Sequence, residues 1–209
     1  MDRKGILLVV SGFSGAGKGT LMKELVGRYD NYALSISATT RSPREGEVDG
    51  REYFFRTKEE FEQMIADEAL IEHACYVGNY YGTPRAYVEE QLALGRDVIL
   101  EIEIQGALQI MKRFPDTLLL FVSTPDAETL KNRLIGRGTE SLDVVEKRLS
   151  RASEEAEGIE NYDYFIINDD LDTCVTQVHQ IIQGEHSRVS RNLELINTIK
   201  KDISKFQKG

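Results

Sequence analysis

The chain has 209 residues, 41% of them hydrophobic and 29% charged, with a formal net charge of −9. That length suits one domain with insertions, or two small lobes, and is enough to bury a core. The composition excludes a disordered chain, no apolar run approaches the ~20 residues of a membrane span, and the acidity argues against a nucleic-acid binder, which carries a basic footprint.

The first predicted element is a strand over 5–10, where Ile6-Leu7-Leu8-Val9-Val10 form an apolar run. A helix is predicted over 18–28. Between them lies Gly12-Phe13-Ser14-Gly15-Ala16-Gly17-Lys18-Gly19-Thr20. A glycine-rich turn from strand to helix is a phosphate cradle, because its backbone N–H groups point inward and the helix start adds partial positive charge. Lys18 can reach the outer phosphates as a point charge. These nine residues are the candidate nucleoside triphosphate site. The P-loop pattern has Ser or Thr directly after the lysine. Here Gly19 stands there and the hydroxyl follows at Thr20, so water or other side chains are expected to complete the shell of a magnesium ion.

Residues 34–90 read as an inserted antiparallel or mixed β lobe. Short β-rich pieces fall at 34–38, 52–55, 70–76 and 79–82, around one helical pattern near 58–67. Further on, strands over 97–102, 117–122 and 164–167 alternate with helices over 104–113, 126–136, 141–157 and 171–183. That alternation predicts an α/β fold with a parallel sheet covered on both faces and right-handed crossovers. The core is then 1–33, 91–136 and 158–184. Over 137–157, Gly136-Arg137-Gly138 leads into a charged helix. It reads either as a mobile lid or as a solvated surface helix. In the tail, 185–209, Leu193, Ile196, Ile199, Ile203 and Phe206 share one helical face. The expectation is an amphipathic helix packed on its own core, with a dimer contact and a membrane-surface helix as alternatives.

His73, His179 and His186 match no metal-ligand spacing and read as surface or packing residues. Cys75 and Cys174 make no disulfide framework and fit a reducing cytoplasm. Met1 to Lys4 lead straight into a strand, so no secretory signal is expected.

A triphosphate donor needs an acceptor site. The stretch from Ser35 to Tyr53 holds Arg41 and Arg44 around Pro43, which keeps the chain extended. Two guanidinium forks and a tyrosine hydroxyl can grip a phosphate monoester. Glu101 and Glu103 sit two apart at the carboxyl end of a strand, the edge where open α/β sheets bind ligands. Ordinary surface arginines in a loop would look similar.

The run from Thr39 to Phe55, Thr-Thr-Arg-Ser-Pro-Arg-Glu-Gly-Glu-Val-Asp-Gly-Arg-Glu-Tyr-Phe-Phe, resembles the guanylate kinase signature. Gly78-Asn-Tyr-Tyr-Gly-Thr83, Glu101-Ile-Glu-Ile-Gln-Gly106, Gly136-Arg-Gly-Thr-Glu140 and Asn168-Asp-Asp170 resemble that family's other blocks, in the same order. The resemblance covers about residues 5–184. It implies a P-loop core with an inserted GMP-binding lobe and a lid, and magnesium-dependent transfer of a phosphoryl group from ATP to GMP. By position it implies that Arg41, Arg44, Tyr53 and Tyr81 hold the GMP phosphate, and that Ser37, Glu72, Gly82 and Thr83 form the guanine pocket. Guanine presents donors at N1 and N2 and an acceptor at O6, which suits a carboxylate and two hydroxyls. Glu103 is a further GMP contact. Glu101 and Thr20 are expected near the Mg2+, although the family usually has two aspartates where Glu101 and Glu103 stand. Arg133, Arg137 and Arg148 would bring charge to the transferring group, Arg137 and Asn168 would contact ATP, and Asn168 would lie at its adenine end. Arg151 reads as a solvated helix charge.

Two other readings stay open. One is a kinase-like binding module that has lost its nucleotide loop, against which Lys18 in an intact glycine frame argues. The other is a related P-loop kinase acting on AMP or a ribose bisphosphate. The expected partners are the small molecules ATP and GMP, with no nucleic acid and no membrane, and a homodimer is left open.

Overall fold

The computed structural model describes residues 4–76, 78–136 and 142–207. In chain order the regular elements are β1 (Leu7–Gly12), α1 (Lys18–Arg28), β2 (Tyr32–Leu34), β3 (Ala38–Thr39), β4 (Phe54–Phe55), α2 (Lys58–Ala66), β5 (Leu70–Tyr76), β6 (Asn79–Pro84) and α3 (Arg85–Ala93). They continue with β7 (Asp97–Glu101), α4 (Ile104–Arg113), β8 (Leu118–Ser123), α5 (Ala127–Ile135), α6 (Leu142–Ala156), β9 (Tyr164–Ile167), α7 (Leu171–His186) and α8 (Leu193–Ser204).

Among the described residues, five strands form one parallel sheet in the order β2-β7-β1-β8-β9. The central strands β1 and β8 are near-continuous apolar runs, as a sheet covered on both faces requires. One face packs Leu21, Met22 and Leu25 of α1 and Val175, Val178 and Ile182 of α7 against Leu8, Val10 and Leu120. The other packs Ala107 and Ile110 of α4, with Val88 of α3, against Leu7, Val9 and Leu100. A second, mixed sheet runs β4-β3-β6-β5, and Phe61 of α2 fills its own small core with Ala38 and Leu70. Helix α2 starts on a capping box, Thr57 and Glu60 each accepting from the other's backbone N–H.

The structure departs from expectation in three places. The predicted piece 34–38 divides: Tyr32–Leu34 joins the parallel sheet at its edge, and only Ala38–Thr39 joins the mixed one. Tyr32 and Ala33 are buried there, and burial decides between two sheets that propensity treats alike. Helix α3 has no counterpart among the predicted elements. It buries only Val88 and Gln91, too few inward positions for a helical period to stand out. The tail does form a helix, but it does not pack on its own core. No residue of α8 is buried, and Leu193, Ile199, Ile203 and Phe206 are exposed. The periodicity specifies the helix and its apolar face, not what covers that face.

No helix among the described residues is long and apolar enough to cross a membrane. His179 stacks on Tyr29 at 3.7 Å between ring centres, and His186 Nε2 lies 2.8 Å from Asp97 Oδ1, so both are packing residues.

Candidate functional site

The carboxyl ends of β1, β7 and β2 open onto a cleft of about 450 Å³. Parallel sheets bind ligands at this edge because the strands end there and the following helices begin, N-termini inward. Ser14 and Lys18, Arg41, Arg44, Tyr53, Glu72 and Tyr81, and Glu101 and Glu103 all line the cleft.

The donor end is the turn from β1 to α1. Gly12 passes so close to β8 that a Cβ there would lie 2.0 Å from Val122 O, and Gly17, just before α1, has a left-handed φ of 86°. Ala16 is fully buried, and Phe13 packs edge-on against Phe121. Lys18 Nζ donates to Gly12 O at 2.6 Å and to Phe13 O at 3.2 Å, so its ammonium already lies over the loop. Gly19 and Thr20 are exposed on the first turn of α1. A Cβ on Gly19 would stand 3.9 Å from both carboxylate oxygens of Glu101. Crowding by the cleft walls raises the Glu101 carboxyl above its ordinary range, Lys18 pulls it back and Glu103 pushes it up.

The family resemblance places Asn168 at the adenine end, and in the structure it lies directly beneath the loop. It is buried at the end of β9, and its Nδ2 donates to Ala16 O at 2.8 Å, bracing the loop from beneath. Arg133 of α5 donates to Asn168 O at 2.9 Å. Arg148 of α6 donates to Ser14 Oγ at 3.1 Å, which brings that helix onto the loop. Leu149 and Ala152 anchor α6 against Leu130 and Leu134 of α5. Arg137 lies outside the described residues, as do positions 138–141 of the expected lid.

At the acceptor end, Arg41 donates to Glu47 Oε1 at 2.9 Å and lies 5.3 Å over the Tyr53 ring. Tyr53 and Tyr81 meet edge-on, 6.0 Å apart. The backbone N–H of Arg44 donates to Glu47 Oε2 at 2.7 Å. Glu47 therefore pairs with the guanidinium of Arg41 and with the backbone of Arg44. It is held below the ordinary carboxylate range chiefly by its hydrogen bond from Arg41.

Strands β5 and β6 pair antiparallel beside the cleft. Glu72 is buried, and its Oε1 accepts from Thr83 Oγ1 at 2.6 Å. Burial pushes its carboxyl up to about 7, against the pull of Thr83. Ser37 lines the cleft with Glu72, whereas Gly82 and Thr83 are buried behind its wall. The Thr83 hydroxyl donates its proton to Glu72. Gly82 serves packing: a Cβ there would meet Glu72 O and Leu70 at 2.9 Å.

Sequence reasoning missed Arg151. It lines the cleft, donates to Glu155 Oε1 at 3.0 Å and stands 3.8 Å from Glu103. Its helical spacing from Arg148, three residues earlier, was the available signal.

The chain matches the family profile described as guanylate kinase over residues 4–185. It is 52% identical over 191 residues to a guanylate kinase of Bacillus cereus, which covers 91% of this chain and 93% of the relative. It is 47% identical over 208 residues to a guanylate kinase of Listeria innocua, 99% of this chain and 100% of the relative. Among solved structures it is similar to a guanylate kinase from Anaplasma phagocytophilum, with a TM-score of 0.74, 30% identity, and 90% and 89% of the two chains covered.

Proposed function

The chain belongs to the guanylate kinase family and is a transferase that phosphorylates GMP, and we propose that ATP is the donor, Mg2+ the cofactor and the cleft described above the site of transfer. One observation carries the reading: a single cleft joins a P-loop lysine, Lys18, to a buried carboxylate, Glu72, with an arginine–tyrosine cluster beside it.

In this reading the loop Gly12–Thr20 cradles the triphosphate and Lys18 reaches its outer phosphates. Arg41, Arg44, Tyr53 and Tyr81 take the phosphate of GMP in place of Glu47. Glu72, ionised, accepts from N1 and N2 of guanine, Ser37 reaches the base edge, and Glu103 borders the nucleoside. Adenine would set a lone pair against the Glu72 carboxylate, and such mismatches cost orders of magnitude in selectivity. No general base is needed, because an oxygen of the GMP phosphate is already anionic at neutral pH. What the residues supply is alignment and positive charge, from Lys18 and Arg41 and from Arg133, Arg137 and Arg148 around the loop.

Among the described residues no three His, Cys, Asp or Glu side chains gather as a metal site. Magnesium is commonly held by one or two protein oxygens together with substrate phosphates and water. The Thr20 hydroxyl and the Glu101 carboxylate, which faces the first turn of α1, are hard donors that fit this role. These two residues would hold the ion, which would supply charge neutralisation to the phosphates of ATP. Within 34–90 the mixed sheet and α2 serve as the acceptor lobe, and α6 serves as the lid. Two unpaired cysteines, Cys75 and Cys174, suit a cytoplasmic enzyme of purine nucleotide metabolism.

The test is ADP release from MgATP with GMP, AMP, CMP, UMP and a ribose bisphosphate offered separately. Turnover with GMP alone is expected. No turnover with any acceptor, from folded protein, would overturn the reading in favour of a binding module.

A further inference from the structure

Helix α4 turns three residues of one face toward the base-reading strand. Gly106, Gln109 and Arg113 are spaced by three and four residues and so lie one above the other. Gln109 exchanges two hydrogen bonds with the backbone of His73, its Nε2 donating to His73 O at 2.9 Å and its Oε1 accepting from His73 N at 3.5 Å. Arg113 donates to Ile71 O at 3.0 Å. These contacts take hold of β5 on both sides of Glu72. The third contact is a missing one. A Cβ on Gly106 would lie 2.7 Å from Glu72 Oε2 and 3.4 Å from its Cδ, so the carboxylate occupies space that only glycine leaves. That oxygen stands over the first turn of α4, where no side chain caps the helix and the dipole favours an anion. Oε1 is meanwhile held by Thr83.

Two elements from different sheets thus determine one position. Glu72 belongs to β5 of the mixed sheet, and α4 packs on the parallel sheet through Ala107 and Ile110. Ile71 is buried in that same cluster. We propose that Gly106, Gln109 and Arg113 are positioning residues for base selection: they set where the Glu72 carboxylate stands relative to the parallel core and so to the P-loop. The proposal rests on the reading that Glu72 accepts from the guanine edge. None of the three is required to touch the nucleotide.

Gly106→Ala is the sharpest probe, because alanine in a helix is ordinarily favourable and the harm must come from what the new methyl meets, first the Glu72 carboxylate at 2.7 Å and then Ile102 Cδ1 at 3.2 Å. The measurement is steady-state kinetics with GMP and with inosine monophosphate, which lacks the 2-amino donor, on wild type, G106A, Gln109→Met, Glu72→Gln and the two double variants with E72Q. Wild type should prefer GMP, and E72Q should collapse that preference. G106A should raise KM for GMP about tenfold or more and lower the GMP-to-inosine ratio, with KM for ATP unchanged. Q109M should do the same to a lesser degree, and it carries the test alone if G106A does not fold. On the E72Q background both changes should add less than about twofold, because the group they position is already lost. Full additivity, or G106A and Q109M keeping the wild-type ratio while E72Q loses it, would overturn the proposal and leave the reading of Glu72 intact. An unchanged ratio in E72Q would overturn that reading first.

Discussion

Replacing Glu72 with Gln keeps the size of the side chain and removes its charge, and the two consequences run in opposite directions. In the nucleotide-free protein the Glu72 carboxyl is pushed from 4.5 to about 7 by burial. Its anion is therefore less stable there than in the unfolded chain by ~3 kcal/mol. The sign follows from proton counting. Between pH 4.5 and 7 the folded state keeps a proton that the unfolded chain has released, so this group's contribution to stability falls as pH rises through that window and is level above it. Glu72→Gln has no such fall. Its stability relative to wild type should grow with pH, toward an upper limit of ~3 kcal/mol near pH 8. Binding goes the other way. The carboxamide turns a donor toward N1 and N2 of guanine, where two donors already point. An unmet buried polar group costs ~1–3 kcal/mol, so kcat/KM for GMP should drop about 5- to 150-fold. Urea unfolding from pH 4 to 8, with and without saturating GMP, reads the first effect, and initial rates read the second. The phosphate of GMP titrates near pH 6, but it does so with both proteins, so the difference isolates Glu72. A stability difference that does not change with pH would refute the burial argument, and an unchanged kcat/KM would refute the base-reading role.

Lys18→Ala should lower kcat by about 10²–10³-fold, as loss of one charge-stabilising donor does, with circular dichroism unchanged; near-normal turnover would remove the phosphate-cradle assignment. Asn168→Ala leaves Ala16 O without its donor beneath the loop. It should cost ~1–3 kcal/mol of stability and raise KM for ATP more than KM for GMP, whereas an adenine contact with no bracing role would leave stability unaltered. Ile199→Ser with Ile203→Ser alters only exposed positions of α8. Thermal unfolding of dilute protein should shift by no more than ~0.5 kcal/mol per site, and a larger, concentration-dependent loss would show that another surface covers this face.

Much of this protein is legible in one dimension because its signals are local. The apolar run of β1, the glycine frame that must turn tightly around a phosphate, and Lys18 at the start of α1 lie within a dozen residues. Neighbouring residues are joined by the chain itself, so their spacing alone constrains their geometry. The same holds for Arg41, Arg44 and Tyr53, and for the helical face of α8. What only the tertiary structure decided depends on groups far apart in sequence. Burial of Glu72 by β6 and α4 sets its pKa, and the bond from Asn168 to Ala16 spans 152 residues. The edge place of β2, the position of Arg151 in the cleft and the exposure of α8 belong there too. Each turns on which surface is covered by which, and packing of distant segments has no signature in local periodicity.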